Sequence, residues 1–223
     1  MKNKKILLIG GGGHCHSVLD SLFRLQQYDE IGIIDREPKS QVYGAPIVGR
    51  DDDLFQLFMQ GWRYASITVG SIGVPTRRLA LFQKLKKIGF ELPAIIDPSA
   101  LTGVASEIGE GAFVGKRAVI NSGTYVGCGA IINTGAILEH DSVIGDFAHI
   151  APGCILCGEV SVGENTHVGA GSVVRQQIRI GSYSLIGVGS VVVAPIGDHV
   201  KAFGNPCREV ETGWEPISSR KPE

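Results

Sequence analysis

A six-residue repeat in the C-terminal half of the chain restricts its fold more than any other feature. From Ile108 onwards every sixth residue is aliphatic, and the series reaches Val192 without a shift in register. The residue four places after each of these is small in nearly every repeat. The aliphatic positions are Ile108, Val114, Ile120, Val126, Ile132, Leu138, Ile144, Ile150, Leu156, Val162, Val168, Val174, Ile180, Ile186 and Val192.

Six residues suffice for one short strand and one bend, and three such units close a triangular coil. The aliphatic side chain then points inwards and stacks on its equivalents in neighbouring coils, forming a core that no single repeat could bury alone. Glycine or asparagine often follows the aliphatic residue, as at Gly109, Gly127 and Asn133, and we expect left-handed backbone geometry there. The repeat predicts a parallel β-helix, because a β-sandwich would instead show alternation with period two.

The first part of the chain has the pattern of alternating strands and helices. A buried strand at 6–9, a helix at 17–26 and a second strand at 31–35 form a βαβ start. Helices near 51–60 and 76–88 and a strand at 67–70 follow. We therefore predict a Rossmann-like α/β domain at 1–95, a β-helix at 96–208 and a C-terminal tail at 209–223.

The glycine run after the first strand indicates a nucleotide site. A glycine turn presents backbone N–H groups and a helix N-terminus to an anion, and Asp35 closes the second strand where an acid can bond ribose hydroxyls. The dinucleotide fingerprint is incomplete, because Cys15 or His16 lies where its third glycine belongs. The pattern favours a mononucleotide with a diphosphate; the alternative is a turn that merely requires positive φ.

Composition excludes several classes of partner. The formal net charge is −1, so no strong field attracts nucleic acid or an anionic membrane. No apolar run approaches the ~18 residues of a transmembrane helix, and we expect a cytoplasmic protein whose cysteines stay reduced. Cys154 and Cys157 have the spacing of a metal or redox pair, but both occupy structural positions of the repeat.

The combination of the two halves resembles the hexapeptide-repeat acyltransferases grouped around sialic-acid O-acetylation and bacillosamine-type sugar-nucleotide N-acetylation. The resemblance implies a left-handed β-helix that holds acetyl-CoA as cosubstrate, an N-terminal domain that holds a nucleotide-linked amino sugar, and a homotrimer with active sites between neighbouring β-helices. The matching residues are Gly12-Gly13-His14, Asp35-Arg36, Gly70, Asn133, Leu138-Glu139-His140-Asp141, His149 and Gly204-Asn205-Pro206-Cys207-Arg208, in which Cys207 replaces the usual alanine.

The same resemblance implies a role for each of these positions. His140 would be the general base, with Asp141 holding its imidazole and Glu139 and Asn133 in the catalytic site. Acetyl-CoA would contact His149, Ala170 and Val188, the last of which replaces a typical glycine. The sugar nucleotide would bind Gly12, Gly13, His14, Asp35, Arg36 and Gly70. No metal and no acyl-enzyme intermediate is expected.

Four functions stay open at this point. The preferred one is N-acetylation of a nucleotide-linked amino sugar, and the second is O-acetylation of sialic acid or a related sugar hydroxyl. A metal-dependent carbonic anhydrase would need three histidines at one metal, which the spacing of His140, His149 and His167 disfavours. A non-catalytic scaffold would not need the Glu-His-Asp run. We expect His167 to be a stacked surface histidine.

Overall fold

The computed structural model, which describes residues 4–37, 40–73 and 75–213, begins with one sheet and three helices. In chain order these are β1 (Lys5–Ile9), α1 (Gly13–Leu25), β2 (Glu30–Ile34), β3 (Gln41–Val42), β4 (Ala45–Gly49), α2 (Leu54–Met59), β5 (Tyr64–Ile67) and α3 (Thr76–Ile88). The sheet has the order β3–β4–β2–β1–β5, and β1 pairs in parallel with β2 and β5. The predicted Rossmann-like α/β arrangement is confirmed.

Three local predictions differ from this structure. Helix α1 begins four residues before the predicted start at 17, and Cys15 in its first turn is fully buried. The predicted strand at 67–70 was wrong, because Tyr64–Ile67 is the segment that pairs with β1. The β3–β4 hairpin was not predicted; it turns at Tyr43 and Gly44, both with positive φ.

The remaining strands form the β-helix. They are β6 (Ile95–Ile96), β7 (Leu101–Thr102), β8 (Glu107–Ile108), β9 (Phe113–Val114), β10 (Val119–Ile120), β11 (Tyr125–Val126), β12 (Ile131–Ile132), β13 (Ile137–Leu138), β14 (Val143–Ile144), β15 (His149–Ile150), β16 (Ile155–Leu156), β17 (Ser161–Val162), β18 (His167–Val168), β19 (Val173–Val174), β20 (Arg179–Ile180), β21 (Leu185–Ile186), β22 (Val191–Val192), β23 (Val200–Gly204) and β24 (Cys207–Thr212).

The β-helix is left-handed and has three sheets. One face has the order β22–β19–β16–β13–β10–β7, the second β20–β17–β14–β11–β8, and the third β24–β23–β21–β18–β15–β12–β9–β6. Consecutive coils pair in parallel, as Val119 does with Ile137. Of the aliphatic column all but the half-buried Ile108 are at most 2% exposed, which confirms the predicted inward stack.

The glycine that follows the aliphatic residue has a different purpose from the predicted one. Positive φ occurs three places after the aliphatic residue, as at Gly111 and Arg117, and not at Gly109 or Gly127. A Cβ built on Gly109 would lie 2.7 Å from backbone atoms of the next coil. The prediction of left-handed geometry was wrong, and glycine is needed there because the coils approach closely.

The N-terminal unit packs on one face of the β-helix. Outward-facing Phe113 and Ile131 share a buried cluster with Cys15 and Leu19 of α1. In addition, Ser21 Oγ donates a hydrogen bond of 2.6 Å to Asp97 Oδ2, a carboxylate that is 1% exposed. The glycine turn is thereby held beside the third face of the β-helix.

The predicted tail at 209–223 overlaps a strand. Strand β24 pairs antiparallel with β23 as far as Thr212, while residues 214–223 lie outside the described part of the chain. The domain boundaries stay predictions. Within the described residues, no helix combines the length and the apolar character needed to cross a membrane.

Candidate active site

The glycine turn between β1 and α1 borders a cavity of about 210 Å³. This cavity lies at the carboxyl ends of β1, β2 and β5, the edge where open parallel sheets bind ligands. Its lining residues are Gly10, Gly11, Gly12, Asp35, Glu37, Thr68, Val69, Gly70 and Arg77. Predicted substrate residues Gly12, Asp35 and Gly70 are therefore brought together.

The four glycines of the turn are not equivalent. Gly10 has φ +109°, and a Cβ on Gly11 would collide with the Asp35 carboxylate. A Cβ on Gly12 or Gly13 would meet nothing within 4 Å, and neither residue has positive φ. These two glycines leave open space in front of a helix N-terminus that has no side-chain cap, which fits close approach of an anionic ligand.

Asp35 and Arg36 are held in defined positions at this cavity. The Asp35 carboxylate accepts hydrogen bonds from the backbone N–H groups of Gly11 at 3.1 Å and of Arg36 at 2.6 Å. The Arg36 guanidinium donates to Asp51 Oδ2 at 2.9 Å. Its side chain is otherwise largely exposed, and remains available to a ligand.

A second cavity, of about 600 Å³, lies between the N-terminal unit and the β-helix. It combines predicted substrate residues Gly13, His14 and Gly70 with Asn133 and His149. Gly70 lines both cavities, so they are adjacent. The other lining residues are Ser17, Ser71, Ile72, Ile131, Thr134 and Pro152.

His149 is neutral, and its hydrogen bonds define the tautomer. Asn133 Oδ1 accepts from the Thr134 N–H at 2.8 Å, so its amide nitrogen donates to His149 Nε2 at 3.2 Å. The opposite ring nitrogen, Nδ1–H, then donates to the Ser71 carbonyl at 3.4 Å. Burial, and then the charges of His167 and Arg78, lower the pKa of His149 to about 3.

Two further histidines lie close to His149. The His167 ring meets it edge-on at 4.6 Å and is 7% exposed, so the expectation of a surface histidine was wrong. Burial lowers the pKa of both His14 and His167 to about 4. At His14 the positive charge of Arg78 contributes to this lowering of the pKa. Within the described residues, His14 Nε2 and His167 Nδ1 are buried without a hydrogen-bond partner.

His140 lies elsewhere, in the turn between β13 and β14. Its Nδ1 is 2.9 Å from Asp141 Oδ2, and this hydrogen bond raises the pKa of His140. The bond leaves the Nε2 lone pair free to accept a proton. Gly158, one coil further on, leaves room for the ring, because a Cβ there would lie 2.5 Å from Nε2. Glu139 instead accepts a hydrogen bond from Asn121 at 2.8 Å.

The predicted catalytic residues therefore fall into two groups within one chain. His140 and Asp141 join the first and second faces of the β-helix, whereas His149 projects from the third face. Asn133 hydrogen-bonds His149 and not His140. A ligand beside His149 could meet an imidazole equivalent to His140 only from a second copy of the chain.

The predicted acetyl-CoA residues continue a column that starts in the larger cavity. Thr134, Pro152, Ala170 and Val188 are spaced by one coil. The backbone carbonyls of Thr134, Pro152 and Ala170 each accept a hydrogen bond of 2.8–3.0 Å from a glycine N–H in the next coil. The donors are Gly153, Gly171 and Gly189, in that order. Val188, at the end of the column, is 78% exposed. Thr134 and Pro152 were not predicted as site residues, although the eighteen-residue period places them in this column; no pattern in the sequence marks Ser71.

No group of three or more His, Cys, Asp or Glu side chains in the described residues is arranged to hold a metal ion.

Models of known protein families match both the N-terminal α/β domain and the β-helix. Residues 5–85 match the model of the PglD N-terminal domain, residues 107–140 the hexapeptide repeat of succinyl-transferase, and residues 141–176 the bacterial transferase hexapeptide. A search of curated proteins gives no match.

Solved structures match over nearly the whole chain. The acetyltransferase domain of PglB from Neisseria gonorrhoeae FA1090, in complex with acetyl coenzyme A, is 33% identical with a TM-score of 0.88; the match covers 93% of this chain and 100% of that one. PerB from Caulobacter crescentus, in complex with CoA and GDP-perosamine, is 36% identical with a TM-score of 0.87 and coverage of 93% and 97%. WeeI from Acinetobacter baumannii AYE, 22% identical over 93% of this chain and 100% of that one with a TM-score of 0.79, shares the fold.

Proposed function

Because the chain belongs to the hexapeptide-repeat family of sugar N-acetyltransferases, we propose that it transfers the acetyl group of acetyl-CoA to the amino group of a nucleotide-linked amino sugar. The observation that carries the proposal is the pair of adjacent cavities that share Gly70. The smaller one is bordered by the glycine turn, whose backbone N–H groups suit the diphosphate of a nucleotide. The larger one opens from it towards the β-helix.

The two substrates enter from different sides in this proposal. The nucleotide binds Gly12, Gly13 and Asp35, and its sugar extends past Gly70 and His14 into the larger cavity. Acetyl-CoA lies along the column that contains Ala170 and Val188, with its thioester near His149. Support comes from PerB, whose structure holds both CoA and GDP-perosamine.

His140 acts as the general base. The sugar amine attacks the thioester carbonyl, and His140 Nε2 takes the proton that the nitrogen loses as the new bond forms. Asp141 holds the imidazole in the productive tautomer. When the tetrahedral intermediate collapses, the C–S bond breaks and the proton passes to the departing CoA sulfur. Backbone N–H groups of an adjacent coil stabilise the oxyanion.

The chain forms a homotrimer, in which the His140 of one copy completes the site beside His149 of the next. The first face of the β-helix supports this arrangement, because its outward positions form an aliphatic stripe. These positions are Leu101, Val119, Ile137, Ile155, Val173 and Val191. Sedimentation velocity should give a trimer for the wild type and smaller, inactive species for Ile155→Asp. An active wild-type monomer would refute the shared site.

A thiol-release assay tests the function. Acetyl-CoA is offered with UDP-, GDP- and dTDP-linked amino sugars and with free sialic acid. We expect CoA release with at least one nucleotide-linked amino sugar and none with sialic acid. Release with sialic acid alone would support O-acetylation instead.

A further inference from the structure

Arg78 is a buried cation for which the mechanism above has no use. It lies in the first turn of α3 and is 3% exposed. One guanidinium nitrogen donates to the Gly129 carbonyl, while Nε and Nη1 have no hydrogen-bond partner within the described residues. Burial lowers the pKa of Arg78 to about 10, so it stays charged at neutral pH.

An apolar side chain would fill this position at a lower cost. None of the ion pairs among the described residues includes Arg78, and the Phe147 ring lies 5.9 Å from its guanidinium. Taking an unpaired charge out of water is unfavourable, and a hydrophobic replacement of similar volume is often neutral or stabilising. Stability alone therefore does not account for an arginine here.

The Gly129 contact joins α3 to the wall of the larger cavity. Gly129 immediately precedes the coil segment that carries Ile131 and Asn133, and both of these line the cavity. Residues 70–73, which we call the 70–73 loop, lie a few residues before Arg78 and line the same cavity through Gly70 and Ser71. The Ser71 carbonyl accepts the hydrogen bond from His149. Within the described residues, Ser71 of the loop and Arg78 of α3 therefore each form a hydrogen bond with the β-helix.

We propose that Arg78 is a positioning residue that clamps the 70–73 loop to the β-helix, and so sets the distance between the bound nucleotide and the site of acetyl transfer. This inference rests on the proposed function for the contents of the cavities. Since Gly70 lines both cavities, a displacement of the loop would move the sugar relative to the thioester without removing any group that binds the nucleotide.

The charge of Arg78 also acts on the imidazoles of the larger cavity. It lowers the pKa of His14, on α1, and of His149, on β15. The other charge effects on His149 come from His167, on β18, and from His14, and no carboxylate of the described residues opposes them. Arg78 thereby favours the neutral form of His149 that bonds Asn133 and Ser71.

The test compares Arg78→Met, Arg78→Lys and a control, Lys87→Met, which removes an exposed cation from the same helix. Each variant is assayed for kcat, for both KM values, for melting temperature and for binding of UDP, GDP and dTDP. We expect Arg78→Met to lower kcat by about 10–100-fold, as for a misplaced substrate, with nucleotide affinity within about twofold and no loss of thermal stability. Arg78→Lys should recover most of kcat, and Lys87→Met should resemble the wild type.

Histidine NMR provides a readout that does not need activity. The pKa of His149 should rise in Arg78→Met, and its Nδ1–H signal should lose the hydrogen-bonded shift. If Arg78→Met leaves both kcat and the histidine signals unchanged, the proposal is overturned. It is also overturned if nucleotide affinity falls as much as kcat, because Arg78 would then be a nucleotide ligand. If the wild type acetylates no amino sugar, the proposed function fails, and the His149 signals alone decide whether Arg78 is a clamp.

Discussion

Replacing His140 by alanine should remove the general base and leave the β-helix intact. The His140 side chain is 57% exposed, and the inward position of its hexapeptide is filled by the fully buried Leu138. The substitution removes no core contact, so we expect the melting temperature to change by less than about 2 °C. Loss of general-base catalysis should lower kcat by about 10²–10⁴-fold.

The assay is steady-state thiol release at saturating concentrations of both substrates. Gln176→Ala is the matched control, because Gln176 is exposed and occupies the position of His140 two coils further on. The control should keep wild-type kcat. If His140→Ala keeps more than about a tenth of wild-type kcat, below the usual contribution of a general base, His140 is not the base. A substrate amine that binds already deprotonated would then be the better explanation.

The pH dependence of activity provides a second test of the roles of His140 and Asp141. The hydrogen bond that His140 Nδ1–H donates to the Asp141 carboxylate raises the pKa of His140, and the base is active only when deprotonated. Activity should therefore rise with pH through that pKa. Asp141→Asn should move this limb to lower pH and reduce kcat less than His140→Ala does. Asparagine tolerates the positive φ of 58° at this position, so the backbone should be unchanged.

Three further predictions follow from other parts of the site. Asp35→Ala should raise KM for the sugar nucleotide and leave KM for acetyl-CoA unchanged; equal effects on both would indicate a folding defect. Gly158→Ala should lower kcat at unchanged melting temperature, because the new methyl group displaces the His140 ring; full activity would show that the ring position is unimportant. The pKa of His167 is lowered from 6.5 to about 4, so the unfolded chain binds a proton there first as pH falls. Stability should decline between pH 6.5 and pH 4, by at most about 3 kcal/mol from this residue, and urea unfolding of His167→Gln should show a weaker decline.

The β-helix was predictable from the sequence because its packing is periodic. Each inward side chain touches its equivalents one coil away, so an aliphatic residue is required at every sixth position. The glycine after it was misread, because sequence shows that glycine is favoured but not whether backbone conformation or close approach is the reason. The distance from a Cβ on Gly109 to the next coil decides this.

The site could be predicted only in parts. The proximity of Gly12, Asp35 and Gly70 could be predicted from strand order, because loops at the carboxyl ends of parallel strands lie close together. The proximity of His14 to His149 depends on how the N-terminal unit docks, and the signal for docking was the presence of Phe113 and Ile131 at outward positions. The proposed role of Arg78 could not be predicted from the sequence, because an arginine in a helix rich in polar residues is expected to be exposed.

The most direct test of the central claim is the chemical form of the product. The acetylated nucleotide sugar from the thiol-release assay is isolated and treated briefly with alkaline hydroxylamine, which cleaves acetyl esters and leaves amides intact. We predict that the product keeps its acetyl group and that NMR places this group on the sugar nitrogen. Loss of the acetyl group to hydroxylamine, or equal acetylation of the sugar without its nucleotide, would contradict the account.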